Sequence, residues 1–445
     1  MQPLPRRSAV MVDRQAEETA GEAGQPIGQH ADLPDMAVQA DGDRTDAAHA
    51  DALTTIKVFY ATDRKSRQGI EPGDWFRIHL LALIAGVVYL IAFALVFLVS
   101  RKVFVGIIAF GSLAVFLFFA QSATVEWQKL KRLERNDDPE YLSDIRSSGK
   151  EALDYGSCEV TIPPSHQTGR LDSPSVLRFE FAENPQKHVI LHRVIRTDKD
   201  EFYDEMLQVM DQGRSRQGMV FIHGYNVSFD DAVKRTAQIA HDLEFDGAPI
   251  CYSWSSRGSL ANYTHDMANA DATVLALQSF LEETVRRTGN STIHLIAHSM
   301  GNRALLQALD RIAVSDQGNQ GMFGQLIMAA PDVSERDFRN RYVVAARQLA
   351  RAVTLYASSR DRALIASAEI HGHNRAGLAG EHLILVDGVD TIDVSEIDTS
   401  LLGHSYNGDH PELIRDLRAL VELSRQASQR TWLTQIFCPG GVVDF

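Results

Sequence analysis

The chain has 445 residues, 44% hydrophobic and 23% charged, proportions that exclude a wholly disordered or fibrous protein. Its 44 Lys and Arg stand against 58 Asp and Glu, and a net charge of −14 without a basic stripe argues against a nucleic-acid partner. Cys158, Cys251 and Cys438 lie far apart with no C-x-x-C spacing, which gives neither a disulfide framework nor a zinc site.

Residues 1–50 contain no Phe, Trp or Tyr and carry nine acidic against four basic residues. Such a segment cannot bury enough apolar surface to offset its chain entropy, so a disordered acidic tail is expected. Arg6 and Arg7 are followed by no apolar run, which speaks against a signal peptide. Residues 51–66 supply a first strand region.

Ile78–Ser100 is 23 residues long without a charge, and after Arg101 and Lys102 a further 18 uncharged residues run from Val103 to Ala120. At about 1.5 Å per residue, each run matches a hydrocarbon core of roughly 30 Å. Trp75 and Trp127 flank the block where interfacial aromatics belong. The pattern predicts a two-helix transmembrane hairpin over 75–127, followed by a juxtamembrane linker over 128–150. Four Lys and Arg precede the block within 20 residues, four follow it, and two sit in the turn. The positive-inside rule then puts both flanks, and the domain after them, in the cytoplasm, with the lipid bilayer as a partner.

From residue 151 to 428 the sequence reads as an α/β domain, with a short C-terminal tail over 429–445. Strands are predicted over 158–163, 219–225, 249–254, 292–299, 325–332, 352–361 and 382–388. Helices are predicted over Ser228–Leu243, Tyr263–Arg287, Asn302–Ala313, Glu335–Arg351 and Pro411–Ser428. Several strands are almost continuously apolar, as parallel strands covered on both faces are.

The chemistry concentrates at the fourth of these strands. Residues 293–306 read IHLIAHSMGNRALL, a strand, a sharp turn carrying Ser299, and a helix start. A nucleophile elbow needs small residues on either side of the serine, and Ala297 and Gly301 stand there, although the first position departs from the usual Gly. An acyl-transfer serine also needs amide donors for the developing oxyanion. Met300, just after the nucleophile, would supply one, and Tyr225 or Asn226 in FIHGYN (221–226) the other. The base and its orienting acid should follow in the order acid, then His. Asp361 in SSRDRA and His404 in LLGHSY fit, with His404 taking the proton of Ser299 and Asp361 fixing its tautomer. Asp332, at the end of the preceding strand, competes as the acid. His410 reads as the neighbour of Pro411 at a helix start. His371, His373 and His382 lack Cys or paired carboxylates at ligand spacing and read as loop histidines, so no metal or cofactor is expected.

YATDR (60–64), YGSCEVTIPPSH (155–166), FIHGYNVSFDDAV (221–233), CYSWSSRG (251–258), AHSMGNRAL (297–305), AAPDV (329–333), YASSRDRAL (356–364) and GHSY (403–406) together resemble an uncharacterised bacterial family of the α/β-hydrolase superfamily. Its members are usually labelled esterase/lipase-like or domain of unknown function. The resemblance spans residues 55–422 apart from the apolar block, and it implies the α/β-hydrolase fold and Ser299, Asp361 and His404 as the triad. It also implies that Tyr252 and Trp254 line or buttress the site, with plain core packing as the other reading. In that pattern YATDR runs quickly into YGSCEVTIP, whereas about 90 residues separate them here. The hairpin is therefore expected as an insertion between two strands that must pair, which requires an even number of spans. The expected function is a membrane-anchored serine hydrolase acting on small-molecule or lipid esters. The same triad would serve an acyltransferase, thioesterase or amidase, and an inactive membrane scaffold is the reading from another class.

Overall fold

The computed structural model describes residues 8–11, 53–71, scattered positions from 73 to 91, 102–146, 153–175, 178, 180–257, 263–315, 320–396, 411–423, 429–430 and 432–436. In chain order its strands are β1 (Ser8–Met11), β2 (Thr54–Thr62), β3 (Arg64–Arg67), β4 (Glu140–Ile145), β5 (Asp154–Ile162), β6 (Ile190–Thr197) and β7 (Gln217–Ile222). They continue with β8 (Ala248–Ser253), β9 (Thr292–His298), β10 (Phe323–Ala329), β11 (Ala350–Ala357), β12 (Asp390–Asp393) and β13 (Leu433–Ile436). Eleven of these form one sheet in the order β13-β1-β12-β11-β10-β9-β7-β8-β2-β5-β6, and β3 pairs with β4 apart from it. From β1 through to β2 in that order every pairing is parallel; at one edge β13 pairs antiparallel with β1, and at the other β5 pairs antiparallel with β2 and β6 with β5.

Helices cover both faces, and the strands show why their sequences are apolar throughout. On β7, Val220 and Ile222 join the cluster that holds Leu277, Leu305 and Leu309, while Met219 and Phe221 join Ile239, Leu417 and Leu420 on the opposite face. A period of two therefore buries every residue of the strand. Six of the seven expected strands correspond to β5 and β7–β11. The seventh, 382–388, does not: it is a short 3-10 turn at Gly380–His382 followed by irregular chain. Ile384 is fully buried there, so the run is apolar for packing and not for pairing, and the strand lies further on as β12. The helix expected over Tyr263–Arg287 is interrupted at Thr273, whose hydroxyl lies 2.7 Å from Tyr252 Oη.

The two ends of the inserted segment meet as the topology requires. β2 and β5 pair antiparallel from Thr54↔Ile162 to Thr62↔Asp154, and β3 and β4 extend the pairing beyond them. The membrane hairpin itself is not supported: among the described residues no helix is long and apolar enough to cross a membrane. Most of 78–100 falls outside the described residues, as do the side chains of 102–114, while the backbone of Lys102–Asn136 is one continuous helix. The stretch 128–150, expected as a linker, holds the last turns of that helix and β4, both packed on the domain. Leu130 and Leu133 are buried, Lys129 pairs with Glu140 at 2.7 Å and Arg132 with Asp230 at 3.1 Å. Asp138 Oδ2 accepts the amide of Val194 at 3.0 Å. The spacing of Leu130 and Leu133 is that of one helix face, a signal the charges around it obscured.

Both termini also depart from expectation. Ser8–Met11, within the segment expected to be disordered, is a strand between β12 and β13; the rest of residues 1–50 lies outside the described residues. In the C-terminal tail, β13 closes the sheet edge.

Candidate active site

Chemistry-bearing residues gather at the carboxyl ends of the parallel strands, where ligands bind in open α/β sheets. β9 ends at His298, and Ser299 adopts φ 48° before the helix Gly301–Ser315 begins. The left-handed region is costly for a residue with a Cβ and persists only where surroundings enforce it. Here the enforcement is visible. The Ser299 amide donates to Ala329 O on β10 at 2.9 Å, and its carbonyl accepts from the amides of Asn302 and Asp332 at 3.1 and 3.2 Å. Asn302 Nδ2 lies 3.1 Å from Ala297 O, 3.3 Å from Ser299 O and 3.2 Å from Ala329 O.

Two glycines permit the close approach. A Cβ on Gly301 would sit 2.4 Å from His223 O, and one on Gly224 would sit 2.8 Å from His298 Nδ1 and 3.1 Å from Ser299 Cβ. The end of β7 is thereby pressed against the elbow, which brings the 224–228 loop beside the serine. Within that loop Asn226 has φ 60° and its amide donates to Asp266 Oδ2 at 3.2 Å. Of the two amides considered for the oxyanion, that of Asn226 is thus engaged with Asp266. Ser299 and Met300 are both buried.

His223, next to Gly224, is a neutral structural group. Its ring stacks on Trp254 at 5.1 Å, Trp254 Nε1 donates to its carbonyl at 2.7 Å, and burial followed by the nearby Arg64 charge pushes its imidazole down to about 3. Trp254 therefore buttresses the loop, whereas Tyr252 packs in the core with its hydroxyl on Thr273.

The two acids differ in their surroundings. Asp332 follows β10 and has three side-chain partners: Oδ1 accepts from Ser367 Oγ at 2.6 Å and pairs with Arg375 Nε at 3.0 Å, and Oδ2 accepts from Tyr263 Oη at 2.7 Å. Asp361 follows β11 and N-caps the helix Arg362–His371, with Oδ1 accepting the amides of Ala363 and Leu364 at 3.0 and 3.1 Å. The Tyr225 phenol is raised above its ordinary value by burial and then by the Asp361, Asp332 and Asp266 carboxylates, which puts these groups in one electrostatic neighbourhood. His404 and His410 lie outside the described residues. His371 is held by Arg375, by Ser367 O at 2.8 Å and by Met267 Sδ at 3.3 Å, and no group of metal-ligating side chains occurs among the described residues.

Sequence reading missed Asn302, Asp266 and Arg375. Each is an ordinary polar residue in a helix or loop, and only the contacts across the fold give it a role.

A mostly parallel sheet flanked by helices, with a serine on a strained strand-to-helix turn at its carboxyl edge, is the architecture of an α/β hydrolase. The family model described as an alpha/beta hydrolase of unknown function (DUF900) matches residues 198–423, about half of the chain, and the chain belongs to that family. No curated protein and no solved structure matches it.

Proposed function

We propose that the protein is a serine hydrolase that cleaves carboxylic esters through an acyl-enzyme, tethered to the cytoplasmic face of a membrane by the apolar segments at 78–100 and 103–120. The observation that carries the catalytic reading is the left-handed backbone of Ser299 between a parallel strand and a helix, a conformation that costs about 1–3 kcal/mol. In this reading Ser299 Oγ attacks the ester carbonyl carbon while His404 takes its proton. The amides of Met300 and Tyr225 receive the oxyanion. The C–O bond then breaks, and the alcohol leaves with the proton from His404. Water, deprotonated by His404, cleaves the acyl-serine and releases the carboxylic acid.

Asp361 is the acid that orients His404. The salt bridge of Asp332 with Arg375, together with its bonds from Ser367 and Tyr263, supports this choice, because these partners already turn that carboxylate towards Arg375. His404 is assigned from its order in the chain. The tether rests on the two uncharged runs and the charge pattern around them, and it favours amphiphilic esters such as acylglycerols or phospholipids.

One experiment tests both parts. Cell fractions are treated with a fluorophosphonate probe, which reacts only with an activated serine. A labelled 49.4 kDa band is expected in alkali-washed membranes for the wild type and none for Ser299→Ala. Labelling that survives the substitution would discard Ser299, and a band confined to the soluble fraction would discard the tether.

A further inference from the structure

Behind the loops that follow β7 and β8 lies a cation with no place in the reaction as written. Arg64 opens β3 and is 1% exposed. Its guanidinium donates from Nε to Ser253 Oγ at 2.9 Å, from Nη1 to Ser256 O at 3.0 Å and Leu142 O at 3.4 Å, and from Nη2 to Val227 O at 2.8 Å. Nη2 also lies 3.4 Å from His223 Nε2. The acceptors belong to the last residue of β8, to the loops after β7 and β8, and to β4.

Asp266 holds the same two loops by their donors. It accepts Ser256 Oγ at 2.6 Å, the Arg257 amide at 2.9 Å and the Asn226 amide at 3.2 Å, and the Val227 amide reaches Ser256 Oγ at 3.2 Å. Carbonyls are thus held by Arg64 and amides by Asp266 on the far side of Tyr225, and the peptide plane that carries the Tyr225 amide is held by its Gly224 carbonyl, 2.7 Å from Nδ1 of the His223 ring that Arg64 meets at Nε2. A buried guanidinium is expensive to desolvate, and a well-packed apolar residue is often as good for stability alone. What the planar fork adds is direction, because several acceptors are fixed at set angles to one another.

We propose that Arg64 is a positioning residue that aims the Tyr225 amide at the oxyanion. The proposal rests on the Ser299 reading above. An oxyanion donor acts only when it is aligned before the charge develops, and removing one typically costs about 10²–10³ in rate. Misaiming it should therefore lower the rate of the covalent step while leaving substrate binding nearly unchanged.

The test uses the full chain in detergent, with fluorophosphonate labelling rates and the kinetics of a short p-nitrophenyl ester. Arg64→Lys keeps the charge but loses the fork, and Ser253→Ala removes a single acceptor and leaves the charge in place. Labelling slowed about tenfold or more in Arg64→Lys and a few-fold in Ser253→Ala is expected, with kcat reduced and KM within about twofold. Asp416→Asn, which weakens a buried ion pair away from these loops, serves as the control: it should lower the melting temperature and leave the labelling rate unchanged. Wild-type rates in folded Arg64→Lys and Ser253→Ala overturn the proposal. If Arg64→Lys does not fold, a wild-type rate in Ser253→Ala is enough to overturn it, as is a labelling loss in Asp416→Asn that matches its loss of stability. Absence of labelling in the wild type would instead sink the Ser299 reading.

Discussion

Asn302 shows how much of the elbow is enforced by a residue that takes no part in the chemistry. It is fully buried in the first turn of a helix, and its carboxamide nitrogen reaches the carbonyls of Ala297, Ser299 and Ala329. These lie on the strand before Ser299, on Ser299 itself and on the neighbouring strand. Asn302→Ala removes that shared donor from a space closed to water, and although Ser299 O and Ala329 O keep their backbone donors, the cost should be about 1–3 kcal/mol. Urea unfolding should register a loss of that order, together with slower probe labelling as Ser299 relaxes from φ 48°. A variant as stable as the wild type would remove Asn302 from this role. Ser299, Ala297 and Gly301 were legible in the sequence because the elbow imposes a local rule of small residues at fixed offsets. Asn302 was not, since one of its partners is 27 residues away.

At the scale of elements, the C-terminal segment is fastened to the sheet through one carboxylate. Asp416, on the helix Pro411–Val421, pairs with Arg430 Nη1 at 2.6 Å and accepts from Tyr356 Oη at 2.5 Å and Trp432 Nε1 at 2.7 Å. Asp416 and Arg430 are both sealed from solvent. Neutralising Asp416 leaves Arg430 with the longer contact to Asp390 at 3.4 Å, so the cost should approach but not exceed the value of about 3–5 kcal/mol typical of breaking a buried pair. Asp416→Asn should therefore lower the melting temperature markedly and expose the 429–436 segment to protease earlier than the domain. Unchanged melting would mean that this pair contributes nothing net. Elements of this kind were hard to read. β1, β12 and β13 are four residues each, too short for a period of two to show, and they are strands because an existing edge recruits them. Residues 382–388 misled in the opposite sense, since burial alone made them apolar.

For the whole molecule, stability should fall on the alkaline side. His166 bridges the loop after β5 to the helix Phe229–Asp242, with Nδ1 and Nε2 each 2.7 Å from a carboxylate, Asp172 and Asp242. Burial opposes its charge, yet these two partners raise its imidazole to about 9. A folded value above the unfolded one, about 6.5, makes the contribution full below pH 6.5 and progressively lost as pH rises through about 9. Across that window the loss amounts to about 3 kcal/mol at most. His166→Gln should flatten the decline of unfolding free energy between pH 7 and 10; an equally steep decline in the variant would place its origin elsewhere. The larger architecture, by contrast, was readable in outline. Continuous apolar runs between amphipathic helices specify a parallel sheet, and an insertion between pairing strands must return to where it left. The foot of the insertion was not, because Lys129, Arg132 and Glu140 read as solvated charges until Asp230 and Arg67 are seen beside them.

Because Thr62 and Asp154 face each other across the β2–β5 ladder, the polymer joining them is a closed ring of about 90 residues. Ring closure costs about 0.6 kcal/mol for each doubling of length, so this ring is only about 3 kcal/mol dearer than a tight turn in the same place. The β3–β4 ladder and the ion pairs of Arg67 and Lys129 with Glu140 act against that penalty close to the exit points. The catalytic sheet thus tolerates its long excursion at a thermodynamic handicap no greater than that of one poor core substitution. Lengthening or shortening the excursion within residues 78–120, clear of the foot packed at Leu130 and Leu133, should change the domain's folding free energy only logarithmically.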